Sequence, residues 1–491
     1  MTSHGYRILS AAIALGLVTV PLGAQQAGEQ PPPTSGMVLK GKAPVSNEVL
    51  RVKLPKPQEV DLPNGLHLMV LEDHRLPQIT FQIIIPGAGG YFDDPKLTGL
   101  AGYTAQMMRE GTETRNSQQI SQELERMAAF VNVGASVSGP NATINGSALT
   151  ENFDRLFGLA SEILLAPAFF AEEWDRLKTR ARAGLIQQRA NPSFLASEQY
   201  SRVIYTDHPA GRVSATPATL DAITRDAMVA LHRARYVPDH AAIAFAGDIT
   251  LAEARKAVEA RLGGWTRRGA PKPAVTDPNP IGARKVSMVA RPNSVQTTLM
   301  VGTQALDRKN SDYEKLLVAN RVLGGAMGRL FRHLREEKGY TYGIGSGISA
   351  TNFRGDWTVS TSVRTEVTEP ALKDLLAEVA EMRDTPVPAA ELADAKRAIV
   401  ASFALSLESP QSVLSYYVNS WLYGLPADYW ETYPARISAV TAADAQAAAK
   451  KYWGDDRLQI VAVGDGTKIG PIVGKYGPVE QYDAEGKKIG Q

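Results

Sequence analysis

Few residues in this 491-residue chain have the types and spacing that metal or nucleophile chemistry needs. The chain has no cysteine, which excludes disulfides, a thiol nucleophile, a cysteine-bound metal and a lipoprotein anchor. A zinc helix pairs two histidines at i and i+4. The histidines beyond the N-terminal region contain no such pair: His67, His74, His208, His232, His240 and His333. We therefore expect these histidines to pack or to lie on the surface.

The stretch Gly324–Gly343, GGAMGRLFRHLREEKGYTYG, combines cationic side chains with two tyrosines. Helical spacing predicts one apolar face, formed by Leu323, Met327, Leu330, Phe331 and Leu334. The basic residues lie toward the other side: Arg329, Arg332, Arg335 and Lys338.

Gly339 is expected to end this helix, and a strand follows it. In that strand Tyr340 and Tyr342 are expected to share one face, with Thr341 on the other. Taken alone, these residues also fit a cationic helix end that complements the helix dipole, followed by two packing tyrosines.

The elements that must position these residues belong to an ordinary globular chain. The length favours two large domains or about three smaller ones. The apolar content is sufficient for large cores. The formal net charge of +2 implies no nucleic-acid or acidic-surface partner.

Residues 1–24 predict a secretory signal peptide. Arg7 is the only strong charge before Glu29, and the residues after Arg7 are mostly apolar or small up to Ala24, near which we expect cleavage. The apolar core is shorter than the roughly 20 residues of a membrane span. We expect export, to the periplasm of a Gram-negative cell or otherwise by secretion, with no membrane association after cleavage. An uncleaved anchor and a mitochondrial presequence are the alternatives.

A proline-containing leader, residues 25–57, is expected to precede an N-terminal domain of residues 58–268. Asn64-Gly65 predicts a hairpin, and the apolar alternation from Ile79 to Ile85 predicts a buried strand. Prolines in residues 269–281 predict a stiff linker, which leads to a C-terminal domain of residues 282–480. The last residues, 484–491, are expected to be loose.

An internal repeat links the two domains. A helix beginning after Thr224, the residue Tyr236 and a strand ending at Gly247-Asp248 return in the same order at the end of the chain, roughly 217 positions later. The returning residues are Thr441, Tyr452 and Gly464-Asp465.

Two segments carry a resemblance to a known family. The stretch Gly99–Thr112, GLAGYTAQMMREGT, and the pattern G-R-L-F-x-x-L-R-E-x-x-G-x-x-Y from Gly328 to Tyr342 resemble pitrilysin/insulinase-type zinc metallopeptidases. That family includes the mitochondrial processing peptidase and two-subunit bacterial enzymes. The resemblance covers roughly residues 55–480. It implies an α+β fold of two homologous domains, each a mixed or antiparallel sheet with helices on one face, whose halves close around a chamber.

The resemblance also implies that this chain has lost the family's zinc site. The two histidine ligands and the glutamate base of the family fall at Gly102, Gln106 and Ala105, and the third ligand falls at Gly184 when aligned back from Pro192. Glycine and alanine offer no ligating side-chain atom, and the neutral amide of Gln106 is a poor zinc ligand. We expect no metal or other cofactor on this chain, and zinc in a partner subunit.

By the same resemblance, Arg335 and Tyr342 reach toward an active site in another domain or subunit. Tyr342 would donate a hydrogen bond to the oxyanion, and Arg335 would hold a neighbouring carbonyl of the peptide. The strand that begins at Asn132 corresponds to the one on which the family adds a substrate peptide as an extra strand. An ordinary sheet strand is the alternative at Asn132.

Three functions remain open at this stage. The favoured hypothesis is a non-catalytic subunit of a heterodimeric zinc peptidase, whose partner bears an H-x-x-E-H motif and whose substrate is a peptide. The second is a proteolytically inactive peptide-binding or assembly module of the same fold. The third is a stand-alone peptidase with an unrecognised metal site.

Overall fold

A computed structural model describes residues 54–489 of the chain. The predicted signal peptide, residues 1–24, lies outside the described residues, as does the predicted leader as far as residue 53. Across residues 54–489, no helix combines the length and the hydropathy that a membrane crossing requires.

The N-terminal half builds a six-stranded mixed sheet with the strand order β1-β2-β6-β3-β5-β4. The pair β2–β6 is parallel, and the other neighbouring strands are antiparallel. The strands are β1 (Gln58–Asp61), β2 (His67–Glu72), β3 (Gln78–Pro86), β4 (Phe130–Ala135), β5 (Asn141–Leu149) and β6 (Ala242–Gly247). The predicted turn at Asn64-Gly65 joins β1 to β2, and Gly65 has the positive φ of 86° that this turn requires.

Three helices of this half begin at capping boxes. The side chains of Asn116, Thr216 and Thr250 each accept a hydrogen bond from a backbone N–H of the first helical turn. The side chain three residues later in turn accepts a hydrogen bond from the backbone N–H of the capping residue. The helices are α1 (Leu100–Met108), α2 (Ser117–Arg126), α3 (Phe153–Leu165), α4 (Ala171–Arg189), α5 (Pro192–Tyr205), α6 (Pro217–Ala222), α7 (Arg225–Arg235) and α8 (Leu251–Leu262).

The C-terminal half builds a seven-stranded sheet with the order β13-β12-β7-β11-β8-β10-β9. The strands are β7 (Val286–Ala290), β8 (Gln296–Gln304), β9 (Thr341–Ser349), β10 (Asp356–Arg364), β11 (Gln459–Gly464), β12 (Val479–Tyr482) and β13 (Lys488–Ile489). The helices are α9 (Tyr313–Gly324), α10 (Thr368–Asp384), α11 (Ala389–Ser406), α12 (Pro410–Tyr423), α13 (Tyr429–Ala439), α14 (Ala442–Tyr452) and α15 (Gly466–Val473). The sheet therefore continues past residue 480, into residues that we expected to be loose.

The strand topology confirms the predicted pair of homologous α+β halves. The series β2-β6-β3-β5-β4 of the first sheet has the same order and the same strand directions as β7-β11-β8-β10-β9 of the second. The strands β4 and β9 are equivalent, and each forms the edge of its sheet.

Each sheet packs one face on its own helices and the other face on a helix of the opposite half. Helix α5 lays Leu195, Ala196 and Ile204 on Val461 and Val463 of the second sheet. Helix α12 lays Val413, Leu414 and Val418 on the first sheet, against Met69, Leu71, Ile84, Ala244 and Ala246. The resemblance implied helices on one face of each sheet, whereas in the structure helices cover both faces. The two halves belong to one compact unit.

A buried carboxylate ties α5 to the second sheet. Asp356 of β10 accepts hydrogen bonds from the hydroxyls of Tyr200, at 3.0 Å, and Tyr205, at 2.6 Å. Burial raises the pKa of the Asp356 carboxyl, and the two phenol donors act in the opposite direction. The two tyrosines are therefore needed to compensate a charged group that has left water.

The variant Tyr205→Phe tests this connection. It removes one donor from a buried carboxylate, so the free energy of unfolding should fall by about 1.5–3 kcal/mol, as measured by urea unfolding. The matched control is Tyr342→Phe, because the Tyr342 side chain is exposed and its loss of a hydroxyl should leave stability unchanged. Equal unfolding midpoints for Tyr205→Phe and the unmodified chain would contradict the argument.

Candidate functional site

The structure brings the three positions that the resemblance predicts for the family's zinc ligands into one cavity. Gly102 and Gln106 lie one turn apart on α1, and Gly184 lies on α4. All three line a cavity of about 440 Å³ between these helices. Ala105, at the position of the family's base, is fully buried.

This cavity does not fit a zinc ion. A Cβ atom on Gly184 would meet nothing within 4 Å, and one on Gly102 would approach only the Ala135 carbonyl, at 3.2 Å. Both positions have room for a larger side chain, but glycine supplies no atom that could bind zinc. Among residues 54–489, no group of three or more histidine, aspartate or glutamate side chains could hold a metal ion.

The histidines hydrogen-bond to neighbours within the fold. Their partners are Asp61 for His67, Asp248 for His74, the Thr276 carbonyl for His208, the Leu164 carbonyl for His232, the Ala270 carbonyl for His240 and Glu378 for His333. His67 and His240 line the same cavity, but each is hydrogen-bonded to a different partner.

Asp93 holds the start of α1, and sequence reasoning missed it. Its buried carboxylate accepts bonds from the backbone N–H groups of Gly99, at 3.0 Å, and Ala101, at 3.2 Å. Burial raises the pKa of Asp93 to about 6, against the opposing effect of these donors and of Arg212. A carboxylate seven residues before the helix is a weak sequence signal because the chain between them takes an irregular path.

Arg335 and Tyr342 come together in the C-terminal half. A π-helical turn, Phe331–Glu337, carries Arg335, and β9 carries Tyr342. The Arg335 guanidinium lies 4.5 Å from the Phe331 ring centroid and 5.2 Å from that of Tyr342. The Tyr342 side chain is 91% exposed. Within residues 54–489, no group hydrogen-bonds its hydroxyl.

The predicted helix through this stretch is interrupted. Helix α9 ends at Gly324, and the backbone turns at Met327, whose φ of 61° places it in the left-handed region. Met327 is therefore exposed rather than part of the apolar face, whereas Leu330 and Leu334 are buried as expected. Gly339, with a φ of 61°, follows the end of the π-helical turn as predicted.

The basic residues of the stretch have different partners. Arg329 is buried and bonds Glu391, and Arg332 bonds the other oxygen of the same carboxylate. Arg335 has only its neighbour Glu336 within salt-bridge range, at 3.5 Å, among the described carboxylates. The donors of Arg335 thus remain accessible beside Tyr342.

A β-bulge turns Tyr342 to the outside. The pairing of β9 with β10 runs regularly as far as Ile344↔Thr361 and resumes at Thr341↔Val363. Tyr342 and Gly343 together therefore oppose one residue of β10. Thr341 and Ile344 both face the core, and Tyr342 faces away from it. Thr341 and Tyr342 therefore lie on opposite faces as predicted, and the bulge changes the alternation only between Tyr342 and Ile344.

A second cavity, of about 830 Å³, adjoins Tyr342. Strands β8, β9 and β10 form its floor, and Ser193 and Ser197 of α5 stand at its side. Hydroxyl groups are frequent in its lining, which includes Thr298, Ser360 and Ser362. A peptide backbone needs both donors and acceptors, and hydroxyls supply both without regard to sequence.

Asn132 lies on the edge strand β4, where it pairs with Asn145 of β5. Its neighbours Val131 and Val133 point into the core, and the Asn132 side chain is exposed on the opposite face. An edge strand can accept an added strand, so the geometry is compatible with the predicted peptide site.

Two protein-family models match the chain. One, described as insulinase (peptidase family M16), matches residues 69–218. The other, described as the peptidase M16 inactive domain, matches residues 222–399. Together the two matches span more than half of the sequence.

Curated relatives carry names of both active and inactive kinds. "Uncharacterized zinc protease YmxG" of Bacillus subtilis is 23% identical, over 72% of this chain and 85% of its own length. "Non-peptidase homolog YmxG" of Helicobacter pylori is 24% identical, over 74% of this chain and 83% of its own length.

Solved structures share the architecture. The peptidase M16 inactive domain from Pseudomonas fluorescens superposes with a TM-score of 0.77 and 27% identity, covering 83% of this chain and 98% of that one. A protease from Helicobacter pylori superposes with the same TM-score at 15% identity, covering 84% and 100%, and supports the fold alone.

Restoring the ligands tests the geometry of the first cavity. A variant with Gly102→His, Gln106→His and Gly184→Glu should bind one zinc ion per chain, because the three side chains project into one space. Zinc analysis after dialysis is the measurement. The matched control keeps Gly184 and carries only the two histidines, and it should retain much less zinc. A folded triple variant without zinc would show that the positions do not converge.

The Asp93 carboxyl should make stability depend on pH. Its pKa is higher in the folded chain than the ordinary value of 3.8, so the folded state binds more protons between about pH 4 and pH 6. The free energy of unfolding should therefore fall as the pH rises through this range, by on the order of 3 kcal/mol. Asp93→Asn should remove this part of the dependence in urea unfolding. Parallel pH profiles for the two chains would contradict the assignment.

Proposed function

Because this chain belongs to the M16 family of peptidases, we propose that it is the non-catalytic subunit of a two-chain zinc metallopeptidase that cleaves peptides. The observation that carries the proposal is the contrast between the two halves. In the N-terminal half, no histidine, aspartate or glutamate lines the cavity at Gly102, Gln106 and Gly184, and in the C-terminal half Arg335 lies beside the exposed Tyr342.

The partner in this proposal is a subunit that bears the H-x-x-E-H motif and holds zinc. Arg335 and Tyr342 would extend into that subunit's active site, so the catalytic centre is divided between two chains. The H. pylori relative's name as a non-peptidase homolog and the absence of zinc ligands at Gly102, Gln106 and Gly184 both support a non-catalytic member.

The chemistry of the pair suits the binding of a peptide in its transition state. The Tyr342 hydroxyl would donate to the oxyanion that develops at the attacked carbonyl, where a donor is most effective. The Arg335 guanidinium, held against the Tyr342 ring, would donate to a neighbouring carbonyl of the same peptide. The hydroxyl-rich cavity beside them would bind the peptide backbone, and Asn132 on β4 would lie along a second possible peptide edge.

Export through the predicted signal peptide completes the proposal. In a Gram-negative cell the assembled enzyme would act in the periplasm, and in other bacteria it would be secreted. A chain without cysteine has no thiol to be oxidised in either compartment.

A peptide-binding or assembly module without proteolysis is the second candidate. The name of the H. pylori relative favours it, as does the lost metal site. In that case Arg335 and Tyr342 would contact peptide without taking part in its cleavage.

Peptide hydrolysis with zinc supplied separates these functions. The mature chain alone should be inactive, and the chain mixed with the H-x-x-E-H protein of its own genome should be active. Tyr342→Phe should lower the rate of the mixture by on the order of 10²–10³, the usual effect of removing one oxyanion donor. Tyr476→Phe is the matched control, because this half-buried tyrosine lies in the last turn after α15, away from β9.

Each alternative outcome identifies a different error. Full activity of the mixture with both Arg335→Ala and Tyr342→Phe would show that the assigned roles are wrong. Activity of the chain alone would reveal an unrecognised metal site. A stable but inactive complex would favour the binding-module function.

A further inference from the structure

We propose that Thr341 and Thr361 are positioning residues, whose hydroxyls hold the β-bulge that presents Tyr342 to the substrate. The proposal rests on the proposed function of Tyr342 and extends it to two side chains that do not touch the substrate themselves. Neither residue was singled out by its sequence, because threonine is common in strands.

The bulge leaves backbone groups of Gly343 without their regular partners in the ladder. The two hydroxyls take their place. The Gly343 N–H donates to Thr341 Oγ1 at 3.1 Å, and the Gly343 carbonyl lies 3.0 Å from Thr361 Oγ1, which can donate to it. Thr341 Oγ1 can in turn donate to the Ser362 carbonyl, at 2.8 Å. The Thr361 hydroxyl can thus donate its proton to the Gly343 carbonyl, and the Thr341 hydroxyl can donate its proton to the Ser362 carbonyl.

The two hydroxyls are also in contact with each other, at 2.9 Å, and both threonines are buried. Without these hydroxyls, the N–H and the carbonyl of Gly343 would lose their protein partners in the bulged form, at a site that is part-buried. The strand would then gain by adopting a regular register, in which the ladder supplies partners for both groups.

A regular register would turn Tyr342 inward. Residues two apart in a regular strand share a face, and Ile344 is anchored in the core of the C-terminal half. Tyr342 would therefore face the same core as Ile344. Only the extra residue of the bulge allows Ile344 to stay buried while Tyr342 is exposed.

The orientation of position 342 can be measured on the isolated chain. Because the chain has no cysteine, Tyr342→Cys introduces a single thiol, whose reaction with Ellman's reagent reports its exposure. Adding Thr341→Val or Thr361→Val should slow this reaction by about tenfold or more, since a buried thiol is inert. Adding Thr341→Ser should leave the rate unchanged, because serine keeps the hydroxyl.

The matched control is Thr368→Val, which removes another buried hydroxyl bond, to Thr297, at a site away from β9. It should not change the thiol rate. Both Thr341→Val and Thr361→Val are tested, so that the proposal can still be judged if one of the two variants does not fold. Unchanged thiol rates in folded valine variants would overturn the proposal.

The assembled enzyme supplies the second readout. Thr341→Val should lower kcat by about the same factor as Tyr342→Phe, and Thr341→Ser should keep kcat at the level of the unmodified chain. In the double variant, Thr341→Val should cause no further loss beyond that of Tyr342→Phe. If the valine variants slow the thiol reaction but Tyr342→Phe keeps full activity, the two threonines do position residue 342 and the proposed function of Tyr342 is wrong. Additive losses in the double variant would overturn the positioning role and leave the function of Tyr342 intact.

Discussion

The exchange of helices α5 and α12 between the halves is the constraint on which the structure depends. The central strands β6 and β11 are buried along their whole length, so both faces of each sheet must be covered. The helices of each half cover only one face. The other face is covered by a helix from the opposite half, and separating the halves would expose two apolar surfaces to water.

The same exchange determines where the candidate site lies. Helix α5 begins beside the cavity, where Ser193 and Ser197 form its side, and then covers β11 and β8. Strand β9 at the edge remains open, and its bulge directs Tyr342 outward. The hydrogen bonds of Tyr200 and Tyr205 to Asp356 tie α5 to β10, one of the strands that form the floor of this cavity.

The cavity between α1 and α4 keeps its frame although no histidine, aspartate or glutamate lines it. Asp93 holds the start of α1, and α1 and α4 face each other across Gly102 and Gly184. Glycine at these two positions leaves open space at the cavity wall, on the side of the helices away from the hydrophobic core. Both helices contribute buried side chains to the hydrophobic core of the N-terminal half, which stabilises them independently of a metal.

The sequence by itself determined the internal repeat, the hairpin at Asn64-Gly65 and the buried strand from Ile79 to Ile85, because these follow from local spacing and turn chemistry. The α+β plan of the two halves followed from the resemblance to the family. The outward orientation of Tyr342, the pairing of Arg329 with Glu391 and the anchoring of α1 by Asp93 could not be predicted in this way. They depend on partners far along the chain, such as Thr361 for the bulge and Glu391 for Arg329. Only the tertiary structure decides such contacts, because a side chain's period along a strand says nothing about an inserted residue or about which distant group lies opposite.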